Sequence, residues 1–190
     1  MTERVAKVSP LLWARLAGGI YLFTFVTGLL ALFVRGRLGF VALQLSAASY
    51  IAVTLLFYYI FKPVNRSLSL LAAFFSLIGC AIGALGAFHL APPHINNLVF
   101  FGFYCFLVGY LIFKSTFLPR IFGVLMAFGG LGWLTFLSPS LANYLSPYNL
   151  FPGILGEGLL TLWLLLMGVN VQRWKEQTSA ATGRGTNHSK

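Results

Sequence analysis

The sequence has almost no acidic side chains. Aspartate is absent, and the three acids are Glu3, Glu157 and Glu176. Paired carboxylates for acid and base catalysis, carboxylate-rich magnesium sites and Ser-His-Asp triads each need a residue that this chain lacks. We therefore predict no catalytic residue, and the balance favours a protein that is not an enzyme, although the composition leaves this question open.

Cysteine is scarce as well. Cys80 and Cys105 each lie in the middle of an apolar segment, which indicates neither a disulfide framework nor a CxxC redox pair. HExxH and P-loop sequences are missing too. We predict no metal site and no cofactor from these patterns.

Charge of either sign makes up 8% of the residues, against about 25% in soluble domains. Hydrophobic residues make up 58%, and the mean hydropathy is +0.85, which excludes an exterior that faces water. A bilayer core about 30 Å thick needs about 20 apolar helical residues. Six segments meet this length, and they predict an all-α, polytopic bundle of six transmembrane helices: residues 16–34, 40–61, 68–90, 95–113, 121–137 and 154–171.

The flanking residues 1–15 and 172–190 complete this domain plan. The segment from Gln177 onward is polar and has no apolar period, so its composition predicts disorder. The predicted connections between spans are short, which leaves one membrane domain and no separate soluble domain.

The basic residues indicate an orientation. The net charge is +10, but these residues are dispersed among helix ends and form no basic stripe, which argues against nucleic acid as a partner. One side of the predicted bundle carries Arg35 and Arg37. The other carries eleven: Arg4, Lys7, Arg15, Lys62, Arg66, Lys114, Arg120, Arg173, Lys175, Arg184 and Lys190. Because cytoplasmic loops are enriched in Lys and Arg, both termini are predicted in the cytoplasm.

The third span carries a stripe of small residues that predicts close helix packing. The stripe has one member every four residues, and Gly79 and Gly83 form a GxxxG beside it; its members are Ala72, Ser76, Cys80 and Ala84. Small residues let helix backbones approach in lipid, which places this helix at the bundle centre. The alternative is that glycine is simply common in membrane helices.

Glu157 is the only acid inside a predicted span. It follows Pro152 by five residues, which places it about 7 Å below the outer start of the sixth helix. An acid inside the membrane is by default a functional hypothesis. The competing interpretation is structural, with Glu157 near a positive helix N-terminus and paired with Arg35 or Arg37.

Other polar residues lie at the same predicted level. His89 and His94 flank the third connection, and the asparagines at this level are Asn96, Asn97, Asn143 and Asn149. Together with Glu157, Arg35 and Arg37 they could line a polar pocket in the outer leaflet. Two histidines and a glutamate match zinc in ligand type, but no spacing shows that they converge.

Four blocks of this sequence resemble an uncharacterised family of bacterial membrane proteins, domain of unknown function 4386. They are RLAGGIY at 15–21, FKPVNRSL at 61–68, GYLIFKSTFLPRIFGVL at 109–125 and GEGLLTLWLLLMGVN at 156–170. The resemblance implies a multi-pass fold and a bacterial inner-membrane location, and it matches Glu157 to a recurrent Gly-Glu pair. It implies no activity. The connections at 35–39 and 91–94 are shorter than the family pattern, so a function housed there would differ in this chain.

Three functions stay open on the sequence alone. The first is binding or movement of a small solute, proton or lipid through the outer pocket. The second is a membrane enzyme that acts on lipid or quinone. The third is a non-catalytic partner or stabiliser of another membrane protein. Membrane lipids, a second copy or a protein partner would then contact the small-residue face of the third span, through the helix-packing residues Gly79, Gly83, Ser76 and Cys80.

Overall fold

The computed structural model describes residues 9–90 and 95–187, without the side chains of Leu32 and of residues 182–187. Every regular element in these two ranges is helical. The α-helices are α1 (Pro10–Phe33), α2 (Gly36–Phe61), α3 (Arg66–Ala87), α4 (Asn97–Lys114), α5 (Arg120–Leu134), α6 (Pro139–Leu145), α7 (Phe151–Leu166) and α8 (Val171–Asn187). Short 3₁₀ turns follow α5 at Thr135–Leu137 and precede α7 at Tyr148–Leu150.

Six of these helices are long and apolar enough to cross a membrane, which confirms the predicted fold class. They are α1 to α5 and α7, the last two together with their 3₁₀ turns. Large apolar side chains are exposed along their outer faces, such as Phe23, Val26, Leu70, Phe74 and Val124. An exposed apolar surface of this extent suits lipid as the solvent.

The first and last of these six helices differ from the predicted spans at their ends. α1 begins at Pro10, six residues early, because proline at a first helical turn costs no hydrogen bond. α7 ends at Leu166, although the apolar run continues to Val171. The chain turns at Gly168, whose φ of +70° is a left-handed conformation that favours glycine. Hydropathy alone does not register this turn.

Part of the segment predicted to be disordered from Gln177 onward is helical, because α8 extends to Asn187, and residues 188–190 lie outside the described residues. The side chain of Asn170 caps the helix by accepting from the N–H of Arg173 at 3.1 Å. The indole of Trp174 donates to the carbonyl of Ile60 at 3.0 Å, and the Gln177 side chain accepts from Thr116 at 3.1 Å. These contacts with the rest of the bundle hold a helix that composition alone would not form.

The six long helices form a ring. Each contacts the next one along the chain, and α7 closes the ring against α1. Short connections make sequential neighbours antiparallel, so the helix ends fall into two sets. The basic end includes Lys62, Arg66, Lys114 and Arg120. The opposite end includes Arg35 and His89 and is called the cavity end, because a cavity described below lies in that half of the ring. The prediction that α3 lies at the centre does not hold: α3 is one member of the ring, and a larger share of α4 and α7 is buried.

Candidate functional site

The side chain of Glu157 lies inside the ring and is only 5% exposed. Four groups donate to its carboxylate. Its Oε1 accepts from the indole Nε1 of Trp133 at 2.7 Å and faces the Sγ of Cys105 at 3.5 Å. Its Oε2 accepts from the hydroxyl of Tyr50 at 3.0 Å and from that of Tyr21. The carboxylate thereby connects helices α1, α2, α4, α5 and α7.

This arrangement suits a carboxylate that acts only as an acceptor. An ionised carboxylate has about four lone-pair positions, and four donors occupy them here. The indole N–H can only donate, so Oε1 must accept. The two tyrosine hydroxyls also lie 3.1 Å from each other. A charge buried in an apolar medium needs such donors or a counter-ion, and this cluster provides the donors.

Glycines next to Glu157 allow the cluster to form. A Cβ on Gly156 would overlap the carbonyl of Leu125, so only glycine lets α7 approach the backbone of α5 this closely. A Cβ on Gly153 would overlap the indole of Trp133. Because Gly153 has no side chain, the indole of Trp133 fits against α7, where its Nε1 donates to Glu157.

A cavity of about 370 Å³ adjoins this cluster at the cavity end of the ring. All six long helices contribute to its wall, so it lies near the ring axis. Most of the wall is apolar or aromatic. Its polar side chains are Tyr21, Thr24, Gln44, Ser46, Tyr50, Asn97, Trp133 and Glu157.

Of the polar residues predicted to line a pocket, Glu157 and Asn97 line this cavity, whereas Arg35 and Arg37 do not. Arg35 precedes the first turn of α2, Arg37 lies within that turn, and both side chains are exposed. Neither arginine contacts Glu157, whose partners are the four donors above. The predicted ion pair is therefore not formed: the connection between α1 and α2 is so short that both arginines stay at the surface.

The remaining predicted residues do not converge on Glu157 either. His89 is exposed at the end of α3, where its φ is +59°. Asn96 caps α4, with its side chain accepting from the N–H of Leu98 at 2.9 Å. Asn143 is exposed, and Asn149 is buried against Thr135. His94 lies outside the described residues. Among the residues that are described, no group of three His, Cys, Asp or Glu could hold a metal ion.

The small residues of α3 face the interior of the ring. The hydroxyl of Ser76 forms a 2.6 Å hydrogen bond with that of Thr54 on α2. Gly79, Cys80 and Gly83 line the cavity. A Cβ on Gly79 would lie 3.1 Å from the ring of Phe101 on α4. The stripe therefore brings α3 close to its neighbours and also leaves room in the cavity.

Sequence reasoning missed the four donors to Glu157. A free cysteine in the middle of a span is typical of core packing, and a tryptophan near a span end is typical of an interfacial belt, so neither Cys105 nor Trp133 indicates a carboxylate partner. A signal was present for the tyrosines, because Tyr21 and Tyr50 lie well inside their spans rather than at the interface. A buried tyrosine hydroxyl needs a partner, and the one acid in a span was the natural candidate. Which helices are neighbours was not readable from the sequence.

Comparison with known proteins agrees with the resemblance. An uncharacterised protein from Archaeoglobus fulgidus is 27% identical over 124 residues, which cover 62% of this chain and 76% of that relative. No solved structure matches the chain. Residues 35–95 and 94–168 match the family described as domain of unknown function (DUF4386). This match covers well over half of the sequence, and the chain belongs to that family.

Proposed function

We propose that this protein binds one small amphiphilic molecule within the membrane. The ligand's apolar body fills the cavity, and its polar end lies against the Glu157 cluster. One observation carries the proposal: a cavity of about 370 Å³ ends on a buried carboxylate that four donors hold in place.

The size and lining of the cavity support binding of a small molecule. Ligand sites typically measure about 300–1,000 Å³ and combine apolar walls with a few fixed polar groups. Here the polar groups are fixed by hydrogen bonds before any ligand arrives, as in the pair formed by Tyr50 and Glu157. Preorganisation of this kind lowers the entropic cost of binding.

The half of the ring toward the basic end is closed, which supports binding of a ligand rather than conduction through the ring. Large side chains fill the axis toward the basic end, where Phe57, Phe61, Leu111, Ile112 and Leu164 are at most 2% exposed. A continuous path would require these groups to move. The cavity is therefore a site with one closed end.

The proposal also includes the membrane that holds the protein and the orientation of the ring in it. The location would be the cell membrane of a bacterium, as the family resemblance implies, although the Archaeoglobus relative shows that similar chains occur in archaea. Both termini would lie in the cytoplasm, because the basic residues gather at the basic end. The cavity end would then face outward, and membrane lipids are the nearest source of ligand.

The test is mass spectrometry of the protein extracted in native-lipid nanodiscs. The wild type is compared with Glu157→Gln and with Glu176→Gln, the same change at an exposed position on α8. We expect one class of small molecule with the wild type and with Glu176→Gln, and at least about tenfold less with Glu157→Gln, since a tenfold loss is a modest difference in binding free energy.

A second variant separates the cavity from the carboxylate. Ala47→Phe places a ring in the cavity and leaves Glu157 and its four donors in place. It should release the same molecule. If wild type, Ala47→Phe and Glu157→Gln all retain identical small molecules, the proposed function is wrong.

A further inference from the structure

The cavity contains one residue of a charged type. Among the described residues that line it, Glu157 alone is an Asp, Glu, Lys or Arg. Arg35 and Arg37 are exposed outside the cavity, and neither contacts the carboxylate. Hydrogen-bond donors stabilise a buried carboxylate but carry no full positive charge, so its field extends into the apolar space beside it. That field favours a positive ligand group over a neutral or negative one.

Aromatic rings surround the same space. Tyr21, Phe25, Tyr50, Phe101 and Trp133 all line the cavity. The rings of Tyr50 and Phe101 meet at 4.8 Å between centroids, and those of Tyr21 and Tyr50 at 5.3 Å, both edge to face. Ring faces attract cations, and aromatic cages are a recurrent means of binding quaternary ammonium groups.

The four donors decide how such a cation would be held. They occupy the lone-pair positions of Glu157, so a ligand need not donate a hydrogen bond to the carboxylate. The interactions that remain for a cation are attraction to the charge of Glu157 and contact with the aromatic rings. A quaternary ammonium, which has no N–H group, can use both of these interactions.

We propose that the ligand is a lipophilic cation, a quaternary ammonium or amine joined to an apolar body. This inference rests on the proposed function and names its ligand class. The ammonium lies among the aromatic rings beside Glu157, and the apolar body extends along the wall formed by Leu29, Leu43 and Ile154.

The experiment uses three probes with the same phenylbutyl body and different ends: 4-phenylbutyltrimethylammonium, 4-phenylbutanol and 5-phenylpentanoate. Binding to the full chain in nanodiscs is measured by equilibrium dialysis, with empty nanodiscs as the blank. We expect the ammonium to bind at least about tenfold more tightly than the alcohol, because charge and ring contacts add to the same apolar burial. The pentanoate should bind most weakly.

Two variants test the source of this preference. Glu157→Gln should bring the ammonium to the level of the alcohol. Since that variant could fold poorly, Asn97→Lys offers a second route: it places an ammonium at the cavity wall and leaves the four donors untouched. It should weaken binding of the cationic probe and spare the alcohol.

The outcomes separate the two proposals. If the alcohol binds as tightly as the ammonium and Ala47→Phe blocks both, the cation inference is wrong and the proposed function stands. If none of the three probes binds above the blank, both fail. A preference for the ammonium that Glu157→Gln and Asn97→Lys leave unchanged would also overturn the inference.

Discussion

The hydroxyl of Tyr21 is one of four groups that hold the buried carboxylate, and its removal exposes what that contact contributes. Tyr21→Phe takes away a single donor to Glu157 without changing the ring. We expect a loss of about 2 kcal/mol in unfolding free energy, the usual range for a hydrogen bond to a charged group. The measurement is unfolding of the purified protein in mixed micelles.

Tyr104 provides the matched control for this change. It is 1% exposed, and its hydroxyl has no hydrogen-bond partner among the residues that the structure describes. Tyr104→Phe removes a buried hydroxyl that forms no hydrogen bond with the described residues, so stability should change by less than about 0.5 kcal/mol or increase. Equal losses in the two variants would mean that the Glu157 cluster does not stabilise the fold.

At the residue scale, the sequence indicates Glu157 as a candidate site residue but does not indicate its four hydrogen-bond donors, for a physical reason. A lone acid in an apolar run is visible from composition. Its donors come from four other helices that are distant along the chain, as in Tyr21 and Trp133, and only the order of the ring brings them together. The arginine pairing was the reasonable alternative because the sequence shows charge but not helix adjacency.

The contact between α5 and α7 depends on glycine, which yields a prediction at the scale of elements. Gly156→Ala should destabilise the protein by about 1–3 kcal/mol, the cost of overpacking, because its methyl group would overlap the Leu125 carbonyl. Gly158 is two residues along the same helix, and a Cβ there meets nothing within 4 Å. Gly158→Ala should be neutral or stabilising by up to about 1 kcal/mol through helix propensity. Thermal unfolding of both variants, measured side by side, checks this difference. Similar stability changes in the two variants would mean that Gly156 is not a point of close contact between α5 and α7.

The start of α8 depends on its cap. Asn170→Ala removes the acceptor for the Arg173 N–H, which should cost about 1 kcal/mol of local stability. Amide hydrogen exchange should then increase about fivefold in the first turn of α8, in accordance with this free energy. Gln172→Ala is the control, since the Gln172 side chain donates to exposed Glu176 and does not cap the helix. Unchanged amide exchange in Asn170→Ala would mean that the contacts of Trp174 and Gln177, without the cap, stabilise the start of α8.

The elements were predictable to different degrees. The six spans follow from apolar length, and their number and type needed no tertiary information. The end of α7 and the helix α8 were missed because both depend on contacts at the basic end, such as Trp174 with Ile60. Hydropathy cannot detect a turn at Gly168 inside an apolar run.

The whole molecule is a ring that is filled toward its basic end and open inside toward its cavity end, and its orientation can be tested. In a Cys80→Ala background, Tyr144→Cys introduces a thiol at an 85% exposed position between α5 and α7. Ser179→Cys introduces one on the exposed part of α8. A membrane-impermeant maleimide should label the first in intact cells and the second only after permeabilisation, as the positive-inside rule requires. The reverse pattern would direct the cavity end into the cytoplasm.

The central claim is that a ligand in the cavity reaches the carboxylate of Glu157, and infrared spectroscopy measures this most directly. The chain has three glutamates and no aspartate, so ¹³C-labelled glutamate gives few side-chain carboxylate bands. The wild-type difference spectrum with and without 4-phenylbutyltrimethylammonium should show a shifted carboxylate band that is absent from Glu157→Gln and present in Glu176→Gln. A saturating probe that leaves the Glu157 band in place would contradict the account.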